Sequence, residues 1–431
     1  VQYKSGFMNG SYFDEIYHAR TAYEHIEGIQ AYESTHPPLG KILIAIGIKL
    51  FGLNPFGWRI IGTLIGIAML PVMYAMARRL FGSAGYAATA AALFAAEFMH
   101  FTQTRISTID VYGVFFIMVM FYFMHKYNSL SFYKAGLRAT MLPLFLAGLF
   151  FGIGVASKWI VLYGGAGLAV MLALSLYYRY KEYAAAKRVL SGSRGESKKA
   201  NKEQLELIVS KFPKYTVLTL ASCLVFYIAI PLAIYALSYI PVLTAMSEGY
   251  TLKSFIDYQK NMFSYHSNLV STHPFSSSWW EWPFIKRPVW YFSGSDALTG
   301  QVSTIVALGN PLIWWTGIFT LLASLWISIK RQDKAMYMLW IAFLAQFVPW
   351  MLVTRLTFLY HYFAMVPFII LSTVYIFKVI EEKRPGFRKL RYAFVAGAVL
   401  LFIMFYPALS GMPVASSYVK DVLRWFPTWV F

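Results

Sequence analysis

Two adjacent carboxylates, Asp14 and Glu15, and a stiff polar turn, His36-Pro37-Pro38-Leu39-Gly40-Lys41, stand immediately before a long series of apolar segments. Farther along, Arg105, Lys158 and Arg355 are isolated cations at the ends of apolar stretches, and Asp110 follows Arg105 within the same polar cluster. Charge in such positions is expensive unless a partner or ligand offsets it. One chemistry suits these residue types together. Basic side chains that hold a phosphate stabilise the charge developing as it departs, by about 3–4 kcal/mol per well-aimed donor. A neighbouring carboxylate can then take the proton of an attacking hydroxyl. The plainer readings are that Asp14-Glu15 sits in a solvated loop and that Lys158 merely snorkels to the interface.

The elements that must position these groups are membrane helices. The chain has 431 residues, 58% hydrophobic and 13% charged, with a mean hydropathy of +0.53. A soluble core could not absorb apolar runs of about 20 residues that recur along most of the chain, each long enough to cross about 30 Å of hydrocarbon. We read ten spans, at 57–80, 83–102, 106–126, 138–156, 158–178, 215–241, 303–329, 335–353, 358–380 and 390–409. The 40–52 stretch is shorter, carries Lys41 and Lys49, and is expected at the interface.

A formal charge of +19 would suggest nucleic acid in a soluble protein, but its distribution points elsewhere. Arg78-Arg79 and the loops at 126–138, 179–214, 330–334 and 378–391 hold 24 of the 38 Lys and Arg residues and fall on one side of the ten spans. The positive-inside rule makes that side cytoplasmic and places Asp14, Glu15 and His36 outside. Nucleic acid is therefore not an expected partner; the lipid bilayer is. Cys223 is the one cysteine and lies in an apolar run, so neither a disulfide framework nor a thiolate metal site is expected. The sequence has no Gly-rich phosphate loop and no compact His–Glu metal spacing, and no metal or other cofactor is expected.

The expected organisation is an outer catalytic loop with an interfacial helix at 1–56 and an amino-terminal bundle at 57–178. A cytoplasmic basic loop at 179–214 and a helix at 215–241 follow, then an outer aromatic-rich loop at 242–302 and a carboxy-terminal bundle at 303–431. In the outer loop, His273-Pro274-Phe275-Ser276-Ser277-Ser278-Trp279-Trp280-Glu281-Trp282-Pro283 could be an interfacial belt or could line a sugar or acceptor cleft. Gly309-Asn310-Pro311 interrupts the start of a span, and Arg355 precedes Tyr360-His361-Tyr362 at an outer turn.

Seven of these segments, in order, resemble the protein O-mannosyltransferase family, whose members have the membrane-embedded GT-C glycosyltransferase fold. The carriers are Asp14-Glu15, the 36–41 run with Asn54-Pro55-Phe56-Gly57-Trp58-Arg59, the 100–110 run, Ser157-Lys158, the 273–283 run, Gly309-Asn310-Pro311 with Trp314-Trp315, and Arg355 with Tyr360-His361-Tyr362. The resemblance implies an all-α polytopic membrane enzyme with a polyprenyl- or dolichyl-phosphate-mannose donor. The implied acceptor is a Ser or Thr of a secreted or membrane protein, with inversion at the anomeric carbon and no tightly bound metal. It assigns Asp14 as base and gives Glu15 an orienting role. Arg105, Lys158 and Arg355 would face the donor phosphate, with His36, Lys41, Asp110, Asn310, Tyr360 and His361 lining the substrate site. His273, Trp279 and Trp280 would lie on the acceptor side.

Two departures from the family pattern stand out. The 242–302 region is too short for the β-trefoil domain of eukaryotic members, which points to a bacterial-type enzyme of the plasma membrane. No apolar segment precedes Asp14, so the family's first helix is expected to lie before residue 1. A related enzyme acting on a lipid or wall polymer would use the same donor chemistry. A transporter or flippase would instead place polar groups at mid-membrane, where only Asp110 and Glu97 are candidates. The topology predicts that a cysteine introduced near Ser277 reacts with an impermeant thiol reagent from outside and one near Ser193 does not; the reverse pattern would invert the assignment.

Overall fold

The computed structural model describes residues 10–191, 199–268, 271–294 and 298–431, with the side chains of 199–201 also outside the description. An amino-terminal helix, α1 (Glu15–Glu27), precedes α2 (Leu39–Phe51), α3 (Pro55–Phe81), α4 (Ala84–Ala95), α5 (Phe98–Arg105), α6 (Asp110–Asn128), α7 (Phe132–Ser157) and α8 (Ile160–Ser191). Next come α9 (Lys199–Leu224), α10 (Ile230–Ser238), α11 (Leu252–Asn268), α12 (Pro311–Arg331), α13 (Tyr337–Phe347), α14 (Val366–Lys383) and α15 (Arg388–Ser410).

Among the described residues, eight helical stretches are long and apolar enough to cross a membrane. They correspond to eight of the ten expected spans. The expected 83–102 span is two helices, because the Glu97 carboxylate accepts the His100 N–H at 2.6 Å and caps a new helix at Phe98. The expected 106–126 span starts only at Asp110. The expected 303–329 span begins at Pro311, where Asn310 caps the helix by accepting from Leu312 N–H at 3.1 Å. Residues before it form a strand instead.

Two antiparallel strand pairs qualify the all-α expectation. Strand β1 (Val289–Ser293) pairs with β3 (Thr304–Ala307), and β2 (Gln301–Val302) pairs with β4 (Val414–Ala415). A register shift between Trp290 and Phe292 accompanies the first pairing. The 179–214 connector, expected to be solvated or partly helical, is helical in its described residues, with α8 running to Ser191 and α9 starting at Lys199.

The short α2 lies against the start of α3. A Cβ on Gly47 would stand 2.3 Å from the Gly57 carbonyl oxygen, so glycine permits this backbone approach. One face of α2 is buried while Ile46, Leu50 and Phe51 are exposed, as an interfacial helix requires. The core runs along α14, where Val366 to Tyr375 are all buried. Large apolar side chains such as Phe319, Leu322 and Leu352 cover the periphery, a surface suited to lipid rather than water.

Candidate active site

The two amino-terminal carboxylates have different fates. Phe13 holds a positive φ of 51°, stacks on Tyr291 at 4.1 Å and delivers Asp14 to the N-cap of α1. Glu15 is 0% exposed and receives the Arg59 guanidinium at 2.7 and 2.6 Å. It also accepts the backbone N–H groups of Ser107 at 2.9 Å and Tyr12 at 3.2 Å. That carboxylate is fully occupied in joining the amino-terminal segment to α3 and to the α5–α6 turn, a correction to the orienting role toward an acceptor. Arg59, within the 54–59 run, is the partner that holds this carboxylate, and an arginine just inside a membrane helix is the signal for such a pair in the sequence.

Asp14 is half-buried, and its side chain has no hydrogen-bond partner among the described residues. Burial, followed by the nearby Asp110 carboxylate, pushes its carboxyl up to about 7, with Lys158 opposing the rise. Lys158 lies in the break between α7 and α8, where its ammonium meets Asp110 Oδ1 at 2.5 Å. It is therefore paired within the protein, and both partners lie near Asp14. Tyr360 faces the same acidic pair and packs edge-on to Phe13 at 5.9 Å. The Tyr291 hydroxyl accepts from Gln103 at 2.8 Å beneath this group. His361 packs between Tyr360 and Trp350, at 4.6 and 4.4 Å.

Arg105 and Arg355 differ from Lys158 in having no carboxylate within ion-pair distance among the described residues. Arg105 donates to the Leu409 carbonyl at 3.3 Å and lies over Phe101, close enough to Tyr12 to act on it electrostatically. Arg355 is half-buried, and its charge reaches Tyr360 and His266.

Other expected site residues belong to different constructions. Lys41 is 1% exposed and forms an ion pair with Glu33, with further donation to the Glu33 and His36 carbonyls at 3.0 and 3.3 Å. His36 shares the same carboxylate at 3.1 Å. Lys41 is thus a structural cation, because Glu33, absent from the expected site, consumes its charge. The Lys41 ammonium also holds Glu33 well below the usual carboxylate range against the opposing effect of burial. Asn310 is equally internal: its amide donates to the carbonyls of Ala96 and Ala398 at 3.0 Å each, so it ties helices together instead of facing a substrate. His273 is exposed with its ring edge-on to Phe358, Trp279 packs on Phe347, and Trp280 is 51% exposed beneath Lys286. These three do not reach the acidic cluster by any described contact.

Residues 2–244 match the family pattern described as dolichyl-phosphate-mannose-protein mannosyltransferase, and residues 251–429 match the carboxy-terminal four-transmembrane region of protein O-mannosyltransferases. The chain belongs to this family. Relatives include the polyprenol-phosphate-mannose–protein mannosyltransferase of Mycolicibacterium smegmatis, 26% identical over 97% of this chain and 87% of the relative. The enzyme of the same name from Corynebacterium glutamicum is 26% identical over 91% of this chain and 81% of its own length.

The GT-C fold expected from the resemblance is shared with the solved S. cerevisiae Pmt1-Pmt2 complex bound to the sugar donor. That match has a TM-score of 0.75 at 15% identity and covers 99% of this chain and 91% of the solved chain. ArnT from Cupriavidus metallidurans bound to undecaprenyl phosphate matches more loosely, with a TM-score of 0.54 over 96% of this chain and 68% of that one. For this mannosyltransferase, Arg59→Met should lower thermal stability by about 3–5 kcal/mol, since it strands a buried charge. A melting temperature in detergent equal to that of the wild type would show that Glu15 does not depend on the pair.

Proposed function

We propose that this enzyme transfers a mannosyl residue from a polyprenyl-phosphate-mannose donor to Ser or Thr hydroxyls of protein on the extracytoplasmic side of a bacterial plasma membrane, with Asp14 as general base. The observation that carries this reading is the placement of the Asp14 carboxylate, without a hydrogen-bond partner among the described residues and pushed up to about 7 by burial, beside a lysine–aspartate pair and within electrostatic reach of Tyr360, as Arg355 also is. Family membership, the donor named for the relatives and the outward topology of the charge pattern support it.

The acceptor oxygen attacks the anomeric carbon from the face opposite the phosphate, inverting the centre. The bond from that carbon to the phosphate oxygen breaks, and the phosphate departs with the electron pair. The hydroxyl proton passes to Asp14. Lys158, Arg105 and Arg355 are placed in this reading to balance charge on the lipid phosphate, with Asp110 holding the lysine ammonium in position until the donor enters. No strong general acid is needed, because the phosphate leaves as an anion. Basic side chains also take the place a divalent metal would have, and among the described residues no group of three or more His, Cys, Asp or Glu is arranged to hold one.

Asp14→Asn should reduce turnover by about 10²–10⁴-fold while leaving donor binding intact. Assayed beside it, Glu15→Gln should reduce the folded yield more than the rate per folded molecule. Full activity of Asp14→Asn would remove the proposed base. Because Asp14 must be deprotonated to act, wild-type turnover should rise with pH through about 7 and fall below it; a flat profile from pH 5 to 8 contradicts the assignment. Mass spectrometry of the product separates a mannosylated peptide from a glycosylated lipid or wall polymer.

Chelation by EDTA should leave the transfer rate unchanged. Loss of turnover restored by Mn²⁺ or Mg²⁺ would require a metal in the mechanism.

A further inference from the structure

We infer that a basic cavity on the face opposite the catalytic cluster is a binding site for the phosphate headgroup of an anionic phospholipid in the cytoplasmic leaflet. A cavity of about 780 Å³ opens among the ends of α6, α7 and α13 and the middle of α8, and a second of about 720 Å³ adjoins it, sharing His125, Ser129 and Ala335. Their walls carry Arg78, Arg79, Lys134, Arg179, Lys181 and Lys334 against a single carboxylate, Glu182. Among the described residues none of these cations is within ion-pair distance of an acid.

Ordinary positive-inside residues reach into water beyond the headgroups. Arg179 does not. It is 6% exposed, its guanidinium lies 3.4 Å from the Phe132 ring centre, and it donates to Tyr127 Oη at 2.5 Å and to the Leu130 carbonyl at 3.3 Å. Its positive charge is thus fixed in the wall by aromatic and neutral oxygen partners, with Glu182 acting on it only from beyond ion-pair distance. Lys334 is exposed, with its ammonium 3.7 Å from the Tyr178 ring centre. Among the described residues, Arg79 of the adjoining cavity likewise has neutral oxygen acceptors, Ser129 Oγ and the Lys126 carbonyl.

Phosphate chemistry alone would suit a free anion as well as a lipid. The remaining lining favours the lipid. Met171, Leu174, Met338 and Ile341 form an apolar side of the same cavity, continuous with helices that cross the membrane, so the site pairs cations with a surface for acyl chain at headgroup depth. The cavity is formed by helices different from those carrying Asp14, so its occupancy does not require the catalytic assignment to hold.

The full chain, purified in detergent, can be titrated with phosphatidylglycerol, phosphatidylcholine or inorganic phosphate and examined by native mass spectrometry and thermal unfolding. Phosphatidylglycerol should be retained and should raise the melting temperature, whereas phosphatidylcholine should do neither. Lys181→Gln combined with Lys334→Gln changes only exposed side chains and should weaken retention about tenfold or more. Arg179→Gln should do the same if its lipid-free melting temperature matches the wild type; where it does not, the exposed double variant decides. Equal retention by the wild type and the double variant, or equal retention of phosphatidylcholine, would overturn the site. Displacement of the lipid by millimolar inorganic phosphate would overturn the lipid assignment in favour of a soluble anion.

Discussion

The buried pair between Glu15 and Arg59 is the constraint on which the candidate active-site end of the molecule depends. A carboxylate with no solvent exposure is tolerable only when its charge and lone pairs are met, and here one guanidinium and two backbone N–H groups meet them. The partners come from three separate stretches, near residues 12, 59 and 107. Satisfying one charge therefore draws the amino-terminal segment, the first long helix and the α5–α6 turn into a single arrangement. Asp14 follows as a geometric consequence. With its neighbour held by Arg59, the Asp14 carboxyl lies within electrostatic reach of Asp110, Lys158 and Tyr360.

The same economy of charge organises the neighbouring polar layer. Glu33 compensates Lys41 and His36, and His36 packs edge-on to His266 at 5.3 Å, whose Nε2 meets the Thr35 carbonyl at 2.6 Å. This network is closed on itself and resembles a brace more than a binding surface. At the opposite face, the cations around Arg179 have aromatic rings and carbonyls for neighbours, and among the described residues none of them is ion-paired with Glu182, the one carboxylate lining the cavity. Charges near a bilayer can thus be neutralised in two ways, by an internal acid or by a ligand, and the two ends of this protein differ in which they use.

Glu97 illustrates why periodicity alone misjudged one span. Its carboxylate accepts from His100 N–H, Asn310 N–H and the Trp314 indole at 2.6, 3.1 and 2.9 Å. A residue that could mark a transport path in a uniformly apolar helix is here the anchor that ends α4, starts α5 and fixes the entry of α12. The apolar composition on either side was legible, but the other oxygen of the capping carboxylate is met by donors more than two hundred residues away.

Composition and local order in the sequence determined a great deal: a polytopic helical membrane protein, most of its spans, the concentration of basic residues in alternate loops, and a family pattern spread over the whole chain. Those properties are set by bilayer thickness, by charge asymmetry and by short motifs, all of which act locally. The tertiary structure alone decided which charged residues are free. Asp14 and Glu15 are neighbours of nearly equal chemistry, and the sequence separated their roles only through resemblance. Lys41 and Asn310 looked like ligands until Glu33 and the carbonyls of Ala96 and Ala398 were brought against them. Whether a buried polar group binds a substrate or holds the fold depends on its partners, and those partners are set by packing between distant segments that sequence order does not reveal.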